Sequence, residues 1–249
     1  MGQTDPMPDD DLWERHAAWW QDQFTDGVDP EYTEQILPLA VEALAGCDRV
    51  LEVGTGEGQV ARTLRAAGVG EVFGIDPTEA QIAEAGRRAG GVAYARAGAA
   101  ALPFPDEAFD GVVACLVFEH VDDVDAGIAE IARVLRVGGR FAFFLNHPLL
   151  QTPGSGWIDD QILDPPEQYW RVGAYLDESV MVEEVAKDVF LPYVHRPLSR
   201  YVNAMAADGL FVRKMLEPAP PPGFLAIAEE FVAAATIPRL LFLLATKEG

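Results

Sequence analysis

Several residue classes that mark exported, metal-held or nucleic-acid-binding proteins are sparse in this 249-residue chain. It has two cysteines, Cys47 and Cys115, each in or beside an apolar segment where a small buried thiol is the ordinary occupant. Neither a disulfide nor a metal site is expected, since the cysteines and histidines lack ligand spacing. No apolar run approaches the roughly 18 to 20 residues that cross a bilayer. The start, Met1 to Pro6, lacks the basic residues and apolar stretch of a signal peptide, and Asp9-Asp10-Asp11 makes it more acidic still. A soluble, cytoplasmic protein without a membrane partner is the expectation. Positive charge is also scarce, with 18 Lys and Arg against 40 Asp and Glu and a formal net charge of -22. A surface of that sign repels a phosphate backbone, which argues against nucleic acid as a partner.

What the chain does have is a length suited to one α/β domain with attachments and a sizeable core. Trp13, Ala17, Trp20 and Phe24 recur at helical spacing and predict an amphipathic helix over 12–24; a second helix is expected over about 31–45. From Arg49 onward, strands alternate with helices, the mark of a parallel sheet covered on both faces. Strands are expected at 50–53, 72–76, 92–95, 111–116 and 140–145, with helices after Gly58, after Thr78 and near 124–135. Thr78 and Gln81 have the spacing of a capping box. After His147 the regularity fades into Pro- and Gly-broken sequence as far as Pro197. A helix over 198–207, an extended 210–216, a helix near 225–235 and an extended 240–246 close the chain.

The chemistry concentrates in the first part of this alternation. Gly54, Gly56 and Gly58 stand between a strand and a helix, where the missing Cβ atoms let a ligand approach the backbone. A dinucleotide fingerprint would place glycine after Gly58, and the residue there is Gln59. Asp76 ends the second strand, where a carboxylate can accept from ribose hydroxyls. A nucleoside ligand satisfies both features.

Taken together, Val50-Leu51-Glu52-Val53-Gly54-Thr55-Gly56-Glu57-Gly58 resembles the first motif of class I S-adenosylmethionine-dependent methyltransferases. The segments Phe73–Asp76, Ala101–Asp110, Phe118–Val121 and Leu135–Phe141 follow in that family's order and spacing. The resemblance implies a doubly wound, Rossmann-like, mostly parallel seven-stranded α/β sheet in one domain. Residues 1–46 would form an N-terminal helical cap, 47–146 the cofactor-binding core, 147–197 a substrate-facing insertion and 198–249 a C-terminal helix with closing strands. It also implies S-adenosylmethionine as cofactor. Glu52, Gly54, Thr55, Gly56 and Gly58 would hold its methionine portion, Asp76 its ribose and Ile75 and Pro77 would flank its adenine. The acid that many members carry after the third strand is missing from Ala97-Gly98-Ala99-Ala100, so backbone groups of Gly98 and Ala99 with apolar contact from Leu102 take its place. Leu116 and Val117 would lie beneath the sulfonium.

Methyl transfer requires in-line placement above all, and a base only when the nucleophile must lose a proton. His120, His147 and His195 are the catalytic candidates, because imidazole titrates near neutrality and all three lie at strand ends or in the insertion. Each has an ordinary structural alternative, a helix cap in the case of His120. Trp19, Trp20 and Phe24 form either a lid over the cofactor or plain core packing. Tyr169, Trp170, Tyr175 and Tyr193 suit a planar or apolar substrate. The expected acceptor is therefore a small molecule with an O, N or C nucleophile. Methylation of tRNA or another macromolecule, or binding without catalysis, are the rival readings. Oligomeric state stays open.

Overall fold

A computed structural model describes residues 11–227 and 235–249. It opens with α1 (Asp11–Phe24), then a π-helical turn (Tyr32–Ile36) that runs into α2 (Leu37–Ala43). The alternating region follows as β1 (Arg49–Val53), α3 (Gln59–Ala66), β2 (Glu71–Asp76), α4 (Glu79–Arg88), β3 (Ala93–Arg96) and β4 (Phe109–Cys115). A 3-10 turn (Phe118–His120), α5 (Val124–Val134) and β5 (Leu135–Asn146) complete it. The closing elements, α6 (Leu198–Ala207), β10 (Leu210–Leu216), α7 (Pro222–Ile227) and β11 (Leu240–Lys247), are separated from β5 by four further strands. Part of the helix expected near 225–235 lies outside the described residues.

The sheet runs β10-β11-β5-β4-β1-β2-β3, all parallel except β11, which is antiparallel to both neighbours. Its period-two alternation sorts side chains to two cores. Leu51, Val53, Val112, Ala114, Phe141 and Phe143 face α5 and α6, whereas Val50, Val113, Cys115 and Phe144 face α2 and α3. Every residue of β4 is buried, as its central place requires. Each large side chain fully withdrawn here contributes about 1.5–3 kcal/mol of hydrophobic stabilisation. Both cysteines are free and buried. No helix among the described residues is long and apolar enough to cross a membrane.

Chain order reverses between β1 and β4. From β1 the chain winds outward through β2 and β3, then returns to β4 and continues to β5 on the other side. Loops leaving β1 and β4 therefore diverge, and a crevice opens at their carboxyl ends, where such sheets bind ligands.

The stretch after His147 departs from expectation. Instead of irregular chain it forms two antiparallel hairpins, β6 (Gly156–Asp160) with β7 (Glu167–Arg171), and β8 (Ser179–Ala186) with β9 (Val189–His195). β6, β7 and β8 are largely half exposed or exposed, and adjacent charges such as Asp159-Asp160 and Glu183-Glu184 break their apolar period; β9 is mostly buried. Pro192 lies inside β9, yet β9 pairs only with β8, and an edge strand tolerates a missing N–H.

Candidate active site

The crevice is a cavity of about 930 Å³, mouth included. Its floor is the loop after β1. Thr55 N–H donates to the Ile75 carbonyl at 2.8 Å, and Glu52, buried at the end of β1, accepts from Thr55 Oγ1 at 2.6 Å and from Ala61 N–H at 2.8 Å. Glu52 thus splints the loop to the start of α3. Burial pushes its carboxyl up to about 8. Asp76 Oδ2 accepts from Gly56 N–H and Oδ1 from Thr78 N–H, both at 2.9 Å, so one carboxylate ties the loop to the end of β2. Burial raises the Asp76 pKa too.

The three glycines play different parts. A Cβ on Gly54 would lie 2.3 Å from Val117 Cγ2, so this glycine lets β1 and the loop after β4 close together. At Gly58 a Cβ would meet Tyr94 Oη at 2.2 Å; that glycine serves packing against β3 and does not line the cavity. Gly56 alone, at φ +53°, has open space where a Cβ would stand, with Trp20 Nε1 its nearest neighbour at 3.9 Å.

The roof comes from α1, which lays Trp13 and Trp20 over the cavity. Its docking explains a failed local expectation. Thr78 makes no side-chain cap to α4; instead the first amides of that helix, at Glu79 and Ala80, donate to the two carboxylate oxygens of Glu14 at 2.7 and 2.9 Å. An anion on a helix N-terminus satisfies orphan donors and the helix dipole together. Gln81, the other half of the expected box, accepts from Gln21 Nε2 at 2.9 Å.

A second cavity, about 890 Å³ with its mouth, adjoins the first and shares Trp20, Leu116 and His120 with it. Glu183 and Val185 of β8 and Leu191 and Tyr193 of β9, alternate residues on one hairpin face, make one wall; Trp19 and Phe24 of α1 make another. Leu116, between the cavities, sits in the left-handed region at φ +55°, a conformation a non-glycine residue holds only under surrounding constraint.

Of the residues singled out in the sequence, Glu52, Gly54, Thr55, Gly56, Asp76, Pro77, Ala99, Leu116, Val117 and His120 line the first cavity. Gly98 does not, and Leu102 packs into the core beneath α5. Trp13, Thr25, Tyr32, Gln81 and Ala97 line it without having been expected there. The histidines separate sharply. His120 Nδ1 lies 2.7 Å from the Pro192 carbonyl, which can only accept, so Nδ1 carries the proton. Burial lowers its pKa to about 4; the ring is neutral at pH 7 and its Nε2 keeps a lone pair. His147, by contrast, accepts from Leu149 N–H at Nδ1 and lies 2.7 Å from Glu217 Oε1 through Nε2. Both its nitrogens are engaged, and it lines neither cavity. His195 is fully buried, with Nε2 on the Tyr175 carbonyl at 2.9 Å, and lines neither cavity. Of the three histidines singled out in the sequence, His120 alone lies on a cavity wall; the rings of His147 and His195 are bonded to other parts of the chain.

A doubly wound sheet with a glycine loop after β1 and a buried carboxylate at the end of β2, both facing a crevice at the strands' carboxyl ends, is the architecture of nucleoside-cofactor proteins. Residues 51–143 match the family model of a methyltransferase domain. The demethylmenaquinone methyltransferase of Thermobifida fusca is 32% identical over 165 residues, 60% of this chain and 67% of that protein. An O-methyltransferase of Aspergillus nomiae, rstn1, is 33% identical over 135 residues, 51% of this chain and 60% of its own length. Among solved structures, an S-adenosylmethionine dependent methyltransferase from Mesorhizobium loti superposes with a TM-score of 0.71 at 26% identity, covering 85% of this chain and 96% of that one. The chain belongs to the class I S-adenosylmethionine-dependent methyltransferases. Its matches span between about half and two thirds of the length of the first curated relatives.

Proposed function

We propose that the protein transfers a methyl group from S-adenosylmethionine, held in the first cavity, to a hydroxyl or amine of a small molecule held in the second. The residues fit the cofactor: the open face of Gly56 is a cradle that a side chain would fill, and Asp76 offers a buried carboxylate at the end of β2. In this reading the open face of the loop at Gly54, Thr55 and Gly56, with Glu52 behind it, receives the methionine portion, Asp76 the ribose, Pro77 and Ala99 the adenine, and Leu116 and Val117 lie below the sulfur. When bound, the cofactor supplies a methyl group activated by its sulfonium. Trp13 and Trp20 exclude water from above.

The observation that carries the reading is the place of His120 on the wall common to both cavities, with its tautomer set by Pro192. Its Nε2 lone pair accepts the proton that the nucleophile gives up, and the half-buried ring is neutral throughout the neutral range. A panel of phenols, alcohols and amines, offered with methyl-labelled cofactor, tests this. His120→Ala should lower turnover on the responsive acceptor by roughly 10² while S-adenosylhomocysteine affinity stays within about threefold. The His120 ring should also stay neutral from pH 8 to 5, seen by NMR as imidazole shifts that do not move over that range, because burial holds its pKa well below the ordinary value. Full turnover in the variant, or no labelled product from any hydroxyl or amine, would contradict the assignment.

A further inference from the structure

The second cavity carries three acidic side chains, Asp29, Glu31 and Glu183, and one basic one, Arg239. Two of the acids are already answered by the protein. Asp29 Oδ1 accepts from Glu31 N–H at 2.8 Å, and the Glu31 carboxylate accepts from Arg239 Nε and Nη2 at 3.1 and 3.3 Å. Glu183 has no hydrogen bond and no ion pair among the described residues, although it stands on the cavity face of β8 beside Val185 and opposite Leu191. Around it the walls are aromatic: Trp19, Trp20, Phe24 and Tyr193.

We propose that this chamber selects a methyl acceptor bearing a protonated amine, with Glu183 as its counter-ion and specificity-determining residue. The proposal rests on the preceding reading of the second cavity as the acceptor site. A half-buried carboxylate without a partner costs free energy that a cation entering the chamber returns, and burial already pushes Glu183 up from its ordinary range. Aromatic faces add cation–π attraction for an ammonium and none for an anion. The -22 net charge works in the same direction at long range, drawing cations toward the mouth and repelling carboxylates and phosphates. Glu183 binds the amine electrostatically and takes no part in the proton transfer assigned to His120.

Three phenols of matched size separate the charge states: tyramine, 4-ethylphenol and 3-(4-hydroxyphenyl)propanoate. Calorimetry on the full chain saturated with S-adenosylhomocysteine should rank them cation, neutral, anion, with tyramine at least about tenfold tighter than 4-ethylphenol. Glu183→Gln should bring tyramine down to the neutral ligand's level and leave S-adenosylhomocysteine affinity unchanged. The assignment is overturned if the neutral or anionic phenol binds as tightly as tyramine, or if no member of the set binds. It is equally overturned if Glu183→Gln keeps the ranking and 0.5 M salt abolishes it, since the preference then belongs to the overall field. Should S-adenosylhomocysteine itself fail to bind, the cofactor reading fails first, and the same ranking on the free protein still decides the role of Glu183.

Discussion

In the first cavity the polar contacts are made by a backbone loop and by carboxylates close to it in sequence, Asp76 meeting Gly56 across 20 positions. The second cavity is closed by side chains drawn from both ends of the chain, with Arg239 and Glu31 meeting across 208 positions. A site built on backbone conformation tolerates few substitutions at its glycines and leaves a compact trace in the sequence. One built from dispersed side chains can be retuned position by position, and binding surfaces of this kind are where members of one fold diverge.

The sharpest way to break this contrast is at Gly56, where a valine would add bulk toward the cavity and strain a left-handed residue. Gly56→Val should reduce S-adenosylhomocysteine affinity by about 10² or more with native circular dichroism; normal binding by a folded variant would move the site elsewhere. The next largest effect separates the histidines. His195→Ala should lower stability by about 2–4 kcal/mol in urea titration by leaving a cavity in the packed interior, with turnover of the folded enzyme nearly unchanged. Loss of turnover without loss of stability would return His195 to the mechanism. The smallest effect tests the roof. Glu14→Ala removes the acceptor of the Glu79 and Ala80 amides and should cost about 1 kcal/mol, seen as a few-fold faster release of S-adenosylhomocysteine in stopped flow. An unchanged release rate would separate α1 from cofactor retention.

These contrasts also show what was legible in the sequence. The strands from β1 to β4, the glycine loop and Asp76 were readable because each depends on neighbours within one strand-loop-helix unit, where period and turn chemistry are local. The cap on α4 was misread for the opposite reason: Thr78 and Gln81 have the right spacing, but Glu14 of α1 reaches the amides first. His120 was one of three equal candidates, and its place on the wall of both cavities, held by the Pro192 carbonyl on β9, distinguishes it. The hairpins of the insertion, and with them Glu183, stayed hidden because half-exposed strands mix charge into their alternation. Trp13 and Trp20 were visible as a helical stripe, yet nothing in that spacing reveals that the stripe faces a cavity as well as a core.

The central claim, that the crevice beside β1 and β2 is the cofactor site, is tested most directly by calorimetric titration of S-adenosylhomocysteine into the native protein and into Asp76→Ala. Asp76 offers charge-assisted hydrogen bonds to the ribose, each worth about 1.5–3 kcal/mol, and holds the Gly56 amide in place. The native protein should bind one equivalent, and the variant at least about tenfold more weakly. Equal affinity in the two proteins would contradict the account.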